Sequence, residues 1–379
     1  MKKENKNSLN AALPFWLAIL MGAGLGFTLT GITGSETFAS AGAIGKIGLL
    51  LGFMLWLFVA YTVHTVAHEA GHLVFGLISG YSLSSFRIFS VIFVKEDGGL
   101  RVRRLKVAGT AGQCLMCPPP LSEDGAIPFF LYNIGGCVAN ALLALLSLSA
   151  CLFLPAPPLC DAYLLSFAIL GAFLALLNGI PIRTDAMDND GANIRSLSRS
   201  KNAVRALWVQ LSVNDQNSRG TRLRDMPEEW FTLPESTDPE TPLEAAVKLF
   251  YANRLMDMHK LFEAENVLSD LLEKKTLPGL TATLAALDRV YIALLTDGDL
   301  GALLVFDDEK QKSIIRQMGG FPSVIRTQYA VSLLSDRDEK KAAEYLEKFE
   351  KCARTYPYPA DIDSERELMA LAKDKYETL

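Results

Sequence analysis

The residues best suited to chemistry form a His-Glu-Ala-Gly-His motif at positions 68–72. Residues four apart lie one above the other on a helix, so His68 and His72 can hold one tetrahedral cation. Glu69 follows the first histidine directly and can act as general base for a water that attacks a peptide carbonyl, then pass the proton to the leaving amine. Zn²⁺ suits this role because it lowers the pKa of a water ligand to about 7 without redox chemistry.

The position of the motif makes a chance match less convincing. It stands at the end of an uncharged stretch over residues 47–67, and three of the four histidines of the chain fall within residues 64–72. Ionisable side chains within a bilayer are costly and are usually functional. The pairing predicts hydrolysis inside or at the edge of a membrane. His64, one turn earlier, is an extra ligand, a partner of a ligand, or a residue that only hydrogen-bonds a neighbouring helix.

Four uncharged stretches are long enough to cross about 30 Å of hydrocarbon. They cover residues 13–32, 47–72 (uncharged as far as residue 67), 127–154 and 162–182. Basic residues cluster before the first stretch, between the second and third, and after the fourth. These clusters share one side only if there are four spans, so the positive-inside rule predicts a multi-pass protein of the cell membrane with both termini cytoplasmic.

The first stretch has an alternative reading as a signal peptide. Its basic start is followed by Ala-Ser-Ala at residues 39–41, which could be a cleavage site. Its apolar part is longer than a signal core usually is, which favours a retained helix. Cleavage would not change the orientation of the later spans.

A zinc site with two histidines needs a third protein ligand. The fourth stretch ends in Asn-Gly-Ile-Pro at residues 178–181, and Asp185, Asp188 and Asp190 follow it. The predicted orientation brings this end to the same side of the membrane as the two histidines. From the residues alone, any of the three aspartates can complete the site.

His-Glu-x-x-His combined with a later Asn-x-x-Pro and Asp-Gly resembles the site-2 protease family of intramembrane zinc metalloproteases, over about residues 45–200. The resemblance implies that Asp190 is the third ligand, because Gly191 follows it, with Asp185 and Asp188 as rivals. Many members have only a few residues between the proline and the aspartate. Here Asp190 lies nine residues after Pro181, so a longer loop must fold back.

The same resemblance implies roles for other residues. Glu69 would be the catalytic base and acid, and Asn178 would hold the scissile carbonyl or the substrate backbone. Residues 135–140, Gly-Gly-Cys-Val-Ala-Asn, look like the glycine and asparagine motif of the family, in which small residues allow close helix packing. Asn140 is accordingly a second candidate for substrate binding. For both asparagines the alternative is a hydrogen bond between helices without a catalytic duty.

A β-hairpin is predicted between the second and third spans. Residues 85–95 alternate and are rich in Phe, Ile and Val, residues 96–99 are Glu-Asp-Gly-Gly, and residues 100–107 form a second candidate strand. Asp-Gly between two such stretches is a strong hairpin signal. The six cysteines show no disulfide framework, and the pair Cys114 and Cys117 lacks the second pair that a zinc knuckle needs.

The two halves of the chain differ in charge. Residues 1–200 carry 13 Lys+Arg and 11 Asp+Glu, whereas residues 201–379 carry 24 and 31. Neither half has the concentrated positive charge of a nucleic-acid binder. We predict a membrane domain over residues 1–200, a juxtamembrane amphipathic helix and linker over 201–242, and a cytoplasmic all-α domain over 243–379.

The C-terminal residues carry a weak internal repeat at an offset of 78 residues. It matches Tyr251, Ala252, Leu255, Ala264 and Leu268 to Tyr329, Ala330, Leu333, Ala342 and Leu346. Small residues beside larger apolar ones indicate stacked helical hairpins, and the pattern resembles a degenerate tetratricopeptide array, which usually binds a protein partner. An irregular helical bundle is the alternative.

The sequence therefore predicts a multi-pass zinc endopeptidase whose partners are the lipid bilayer and a polypeptide substrate in or at the membrane, cleaved near the cytoplasmic face. One alternative is a catalytically silent membrane scaffold that acts through its helical domain, against which the intact Glu69 argues. Another is a zinc protease of a different membrane family with a glutamate as third ligand, which the uncharged fourth stretch disfavours.

Overall fold

A computed structural model describes residues 2–96, 99–182, 188–233, 239 and 241–379, with the backbone alone for residues 2–12. The described residues form two compact units. Residues 2–79, 128–182 and 188–198 make up the first unit, and the described parts of 80–127 and 199–379 make up the second. The connector between the second and third predicted spans thus groups with the C-terminal residues, not with the predicted membrane domain.

The first unit is built of helices in the part of the chain that the structure describes. Its helices are α1 (Lys2–Thr33), α2 (Glu36–Ser40), α3 (Ala43–Ile78), α4 (Phe129–Phe153), α5 (Pro158–Gly179) and α6 (Asp190–Leu197). The four stretches predicted as spans lie on α1, α3, α4 and α5, which are all long and apolar enough to cross a membrane. Many large apolar side chains of α1, α3 and α4 are exposed, as expected of helices that lipid surrounds.

Interhelical hydrogen bonds supplement the apolar contacts of this unit. Trp56 on α3 donates from its indole nitrogen to the Tyr163 carbonyl (3.2 Å) and the Ser166 hydroxyl (3.1 Å) of α5. Ser147 on α4 donates to the Leu164 carbonyl at 2.8 Å. Such bonds fix how α3, α4 and α5 pack, because few other polar partners exist in an apolar environment.

The second unit begins with a four-stranded antiparallel sheet. Its strands are β1 (Ser82–Ile88), β2 (Val91–Glu96), β3 (Gly99–Arg104) and β4 (Gly112–Cys117), in the order β3-β2-β1-β4. The predicted hairpin corresponds to β2 and β3, and its turn at residues 97–98 lies outside the described residues. The prediction of a single strand over 85–95 is wrong, because the chain turns at Phe89, whose φ is 52°. The apolar run continues through this turn, so composition gave no sign of it.

The remainder of the second unit is helical. It comprises α7 (Lys201–Ser218), α8 (Pro242–Asp257), α9 (Leu261–Lys274), α10 (Gly279–Thr296), α11 (Glu309–Gln317), α12 (Pro322–Ala330), α13 (Glu339–Ala353) and α14 (Pro359–Glu377). Short 3₁₀ helices cover Leu223–Asp225, Glu228–Phe231 and Leu300–Phe306. α10 is the fifth helix with the length and composition of a span, and its buried side chains belong to the apolar core of this unit.

The described part of the segment predicted as a surface helix and linker is packed into the second unit. α7 forms at the start of this segment, runs to Ser218, and is buried on most sides between the sheet, α8 and α14. Beyond it, Arg222 pairs with Asp257 and Glu367. In a sequence, polar residues that are buried with partners cannot be told from polar residues at the surface. The sequence therefore indicated a surface helix and a linker where the structure has packed residues.

The repeat positions occupy matching places in two helix pairs. Ala252 and Ala264 are buried where α8 meets α9, as are Ala330 and Ala342 in the α12–α13 pair. The match ends at its last position, since Leu268 is fully buried whereas Leu346 is 45% exposed. The C-terminal part is thus built of helical hairpins, and its likeness to tetratricopeptide repeats stays a prediction.

Candidate metal centre

Three side chains of the first unit converge at one point. His68 and His72 lie one turn apart near the end of α3, and Asp190 is the first residue of α6. The two Nε2 atoms are 3.1 Å apart, and they lie 3.2 Å and 3.5 Å from Asp190 Oδ2. These three residues could hold a metal ion.

The distances between the donor atoms suit a small tetrahedral cation. Ligand bonds of about 2.0–2.1 Å at tetrahedral angles separate donor atoms by roughly 3.3 Å, close to the three observed separations. Burial raises the pKa of the Asp190 carboxyl, but the charge of His72 and hydrogen bonds from both imidazoles outweigh burial. The pKa of Asp190 therefore lies well below the ordinary range.

Asn189 explains how the long loop after Pro181 returns Asp190 to the histidines. Its Oδ1 accepts hydrogen bonds from the backbone N–H groups of Ile182 (3.0 Å) and Ala192 (2.9 Å), which closes the loop and caps α6. Its Nδ2 donates to the carbonyls of Leu177 (2.6 Å) and Ile180 (2.7 Å) at the end of α5. One side chain therefore ties the start of α6 to the end of α5. The sequence reasoning missed it, although an Asn directly before an acidic helix start is a capping signal.

Gly191 permits this close approach of α6 to α5. A Cβ atom at this position would lie 2.3 Å from the Gly179 carbonyl oxygen, a distance that no side chain tolerates. Glycine is required at this position because the backbones at the end of α5 and the start of α6 are in direct contact.

α3 and α4 also meet without side chains between them. A Cβ on Gly71 would lie 2.3 Å from the Gly135 carbonyl oxygen, and a Cβ on Gly135 would lie 2.5 Å from that of Gly71. The prediction that small residues allow close helix packing here is confirmed. Next to this contact, Gly136 faces the His68 ring, where a Cβ would come within 2.5 Å of Cε1.

Each histidine of the pair has a partner on its other ring nitrogen. His72 Nδ1 lies 2.7 Å from the carbonyl of Tyr132, so this nitrogen carries the proton and Nε2 is free to bind a cation. His68 Nδ1 lies 3.3 Å from the amide of Asn140, which also contacts Nδ1 of His64 at 3.2 Å. The two rings are therefore held from α4.

The other predicted site residues lie as follows. Glu69 is buried on α3 directly after His68. Asn178 donates to the Leu174 carbonyl of its own helix at 3.0 Å. Asp188 contributes no donor atom to the group of three, and Asp185 lies outside the described residues. Cys137, which the sequence did not single out, lies with its thiol 3.7 Å from Asp190 Oδ2.

Comparisons with known proteins add no further identification. No protein-family model, curated protein or solved structure matches this chain.

Proposed function

We propose that the protein is a zinc-dependent endopeptidase that hydrolyses a peptide bond of a membrane-embedded or membrane-associated polypeptide near the cytoplasmic face. The observation that carries the proposal is the convergence of His68, His72 and Asp190 at the end of a membrane-length helix, with Glu69 beside the first ligand. The motif resemblance to site-2 proteases supports the same reaction.

The donor set favours zinc and a catalytic over a structural site. Two imidazoles and one carboxylate are a combination found in zinc hydrolases, in which three protein ligands leave the fourth position for water or substrate. A structural zinc site usually has four protein ligands, mostly cysteines. When bound, Zn²⁺ would supply a water of lowered pKa and polarise the scissile carbonyl.

The chain itself would perform the proton transfers and the orientation. Glu69 would take the proton from the attacking water and deliver it to the leaving amine nitrogen. His72 is held in the required tautomer by the Tyr132 carbonyl, and Asp190 is held at the site by the capping contacts of its neighbour Asn189. Substrate contacts by Asn178 and Asn140 stay predictions.

The membrane setting belongs to the same proposal. The length of α3, 36 residues or about 54 Å, exceeds the roughly 30 Å of hydrocarbon, so the end that carries the histidines can lie at the membrane edge. Four spans with both termini cytoplasmic, in the cell membrane, satisfy the distribution of basic residues. The helical hairpins of the second unit would recruit the substrate or a protein partner.

The proposal is tested by trapping the substrate with Glu69→Gln, which removes the base but keeps a side chain of the same shape. Full-length wild type, Glu69→Gln and the exposed control Glu36→Gln are expressed and purified with their co-purifying polypeptides. We expect an uncleaved polypeptide on Glu69→Gln that wild type and Glu36→Gln cleave and that a zinc chelator protects. Cleavage by Glu69→Gln at the wild-type rate would refute the role of the base. A partner that wild type holds but never cleaves would indicate the silent scaffold instead.

A further inference from the structure

Asn140 occupies an unusual position between two imidazoles. It lies on α4, is 1% exposed, and has one amide atom toward His68 Nδ1 (3.3 Å) and the other toward His64 Nδ1 (3.2 Å). His64 is itself fully buried, and its Nε2 lies 3.0 Å from the Phe167 carbonyl on α5. A continuous chain of polar contacts therefore runs from a metal-ligand histidine to the backbone of α5.

The available donors and acceptors fix the direction in which these hydrogen bonds run. With the amide oxygen facing His64, both nitrogens of that ring would face acceptors, which requires a buried imidazolium. The amide nitrogen would then face His68 Nδ1, which must also donate if Nε2 is to bind a cation. Oxygen and nitrogen of an amide are distinguished only by their hydrogen bonds. Rotating the Asn140 amide by half a turn removes both conflicts.

We propose that Asn140 and His64 are positioning residues that hold the metal ligand His68 in its binding tautomer and orientation. His68 Nδ1–H donates to Asn140 Oδ1, Asn140 Nδ2–H donates to His64 Nδ1, and His64 Nε2–H donates to the Phe167 carbonyl. Every group in the chain is then neutral, and each of the three contacts joins one donor to one acceptor. This inference rests on the metal site of the proposed function. It gives both polar atoms of the Asn140 amide a hydrogen-bond partner.

The residues around His64 leave a space that fits its imidazole ring. A Cβ on Gly171 of α5 would lie 2.3 Å from His64 Cε1, so α5 leaves space for the imidazole at this point. The Phe167 ring lies 4.2 Å from the His64 ring, between centroids. The two ligand histidines are thus oriented by different means, since His72 donates directly to a backbone carbonyl and His68 does so through two side chains.

The test compares substitutions that are matched in shape. Asn140→Asp keeps the acceptor toward His68, whereas Asn140→Leu removes it. His64→Asn keeps an acceptor near the position of Nδ1, whereas His64→Leu does not. Loss of such an outer partner typically weakens metal binding by about 10–100-fold. We expect that loss of Zn²⁺ affinity for both leucine variants, and affinity within a few-fold of wild type for Asn140→Asp and His64→Asn.

Affinity is measured on full-length protein in detergent by competition with a chromogenic chelator, and Co²⁺ absorption reports the ligand geometry. The melting temperature of metal-free protein shows whether a variant folds. Leucine variants with wild-type affinity and an unchanged Co²⁺ spectrum would overturn the proposal, as would an Asn140→Asp variant that binds as weakly as Asn140→Leu. Failure of the wild type to bind metal would instead refute the proposed function.

Discussion

Gly136→Ala tests whether the packing of α4 against α3 sets the position of His68. A Cβ at this position would lie 2.5 Å from His68 Cε1 and 2.6 Å from both ring nitrogens, whereas ordinary contact begins at 3.4 Å. The ring would have to retreat by about 0.9 Å. Metal–ligand distances tolerate only about ±0.2 Å, so His68 would leave the coordination sphere.

Movement of the whole helix cannot easily relieve this contact. Gly71 and Gly135 already place the backbones of α3 and α4 against each other one turn away, so the ring has to yield. Overpacking at such a point costs about 1–3 kcal/mol of stability. We expect the larger effect on metal affinity, a loss of at least about 100-fold, because removal of a ligand should exceed the 10–100-fold effect of losing an outer partner.

Isothermal titration of full-length protein with Zn²⁺, in the presence of a competing chelator, measures this effect. Gly179→Ala is the matched control, because its Cβ would meet Cys137 Sγ at an ordinary 3.6 Å. We expect the control to bind Zn²⁺ like the wild type. Wild-type affinity in Gly136→Ala would refute the inferred packing of the His68 ring.

Two further predictions concern the stability of the second unit. Burial raises the pKa of Asp361 to about 7. The Asp361 carboxyl accepts a hydrogen bond from Asn217 Nδ2. Asn217 Oδ1 has no hydrogen-bond partner among the described residues. The folded state then holds a proton that the unfolded state releases near pH 4, so stability falls as pH rises from about 4 to 7, by at most about 4 kcal/mol. Asp361→Asn, whose amide can donate to Asn217 Oδ1, should match wild type at about pH 4 and exceed it at pH 8 in chemical denaturation; an equal pH dependence would contradict this. Arg326 is 1% exposed and lies between Asp288 and Glu365. Its replacement by Leu should lower the free energy of unfolding by about 3–5 kcal/mol, because two acids lose their partner. A loss below 1 kcal/mol in the same assay would show that the two acids are neutralised in another way.

The sequence alone predicts the parts of the site that follow from local periodicity. His68 and His72 meet because helical residues four apart share a face. Asp190 was preferred to Asp185 and Asp188 only through the resemblance to site-2 proteases. The closure of the loop could not be predicted, because it depends on four hydrogen bonds of Asn189 to backbone groups that only the fold brings near. The proposed positioning role of Asn140 could not be predicted either, because it depends on His64 and His68 lying on either side of its amide in the folded protein.

The same limits apply to the fold. Long uncharged stretches predict the helices of the first unit well, since length and hydropathy suffice. The turn at Phe89 and the burial of α7 depend on tertiary contacts, and an apolar run or a polar face carries no sign of them. Asn217 illustrates this, because it is buried on α7 through a contact with Asp361, far away in the sequence.

Metal content tests the central claim most directly. Full-length protein is purified without chelators, and zinc per chain is measured by mass spectrometry for the wild type, Asp190→Ala, Asp188→Ala and Asp185→Ala. We predict about one zinc per wild-type chain, near-complete loss in Asp190→Ala, and retention in the other two variants. A wild-type chain without stoichiometric metal, or loss of zinc only when Asp185 or Asp188 is changed, would contradict the proposed centre.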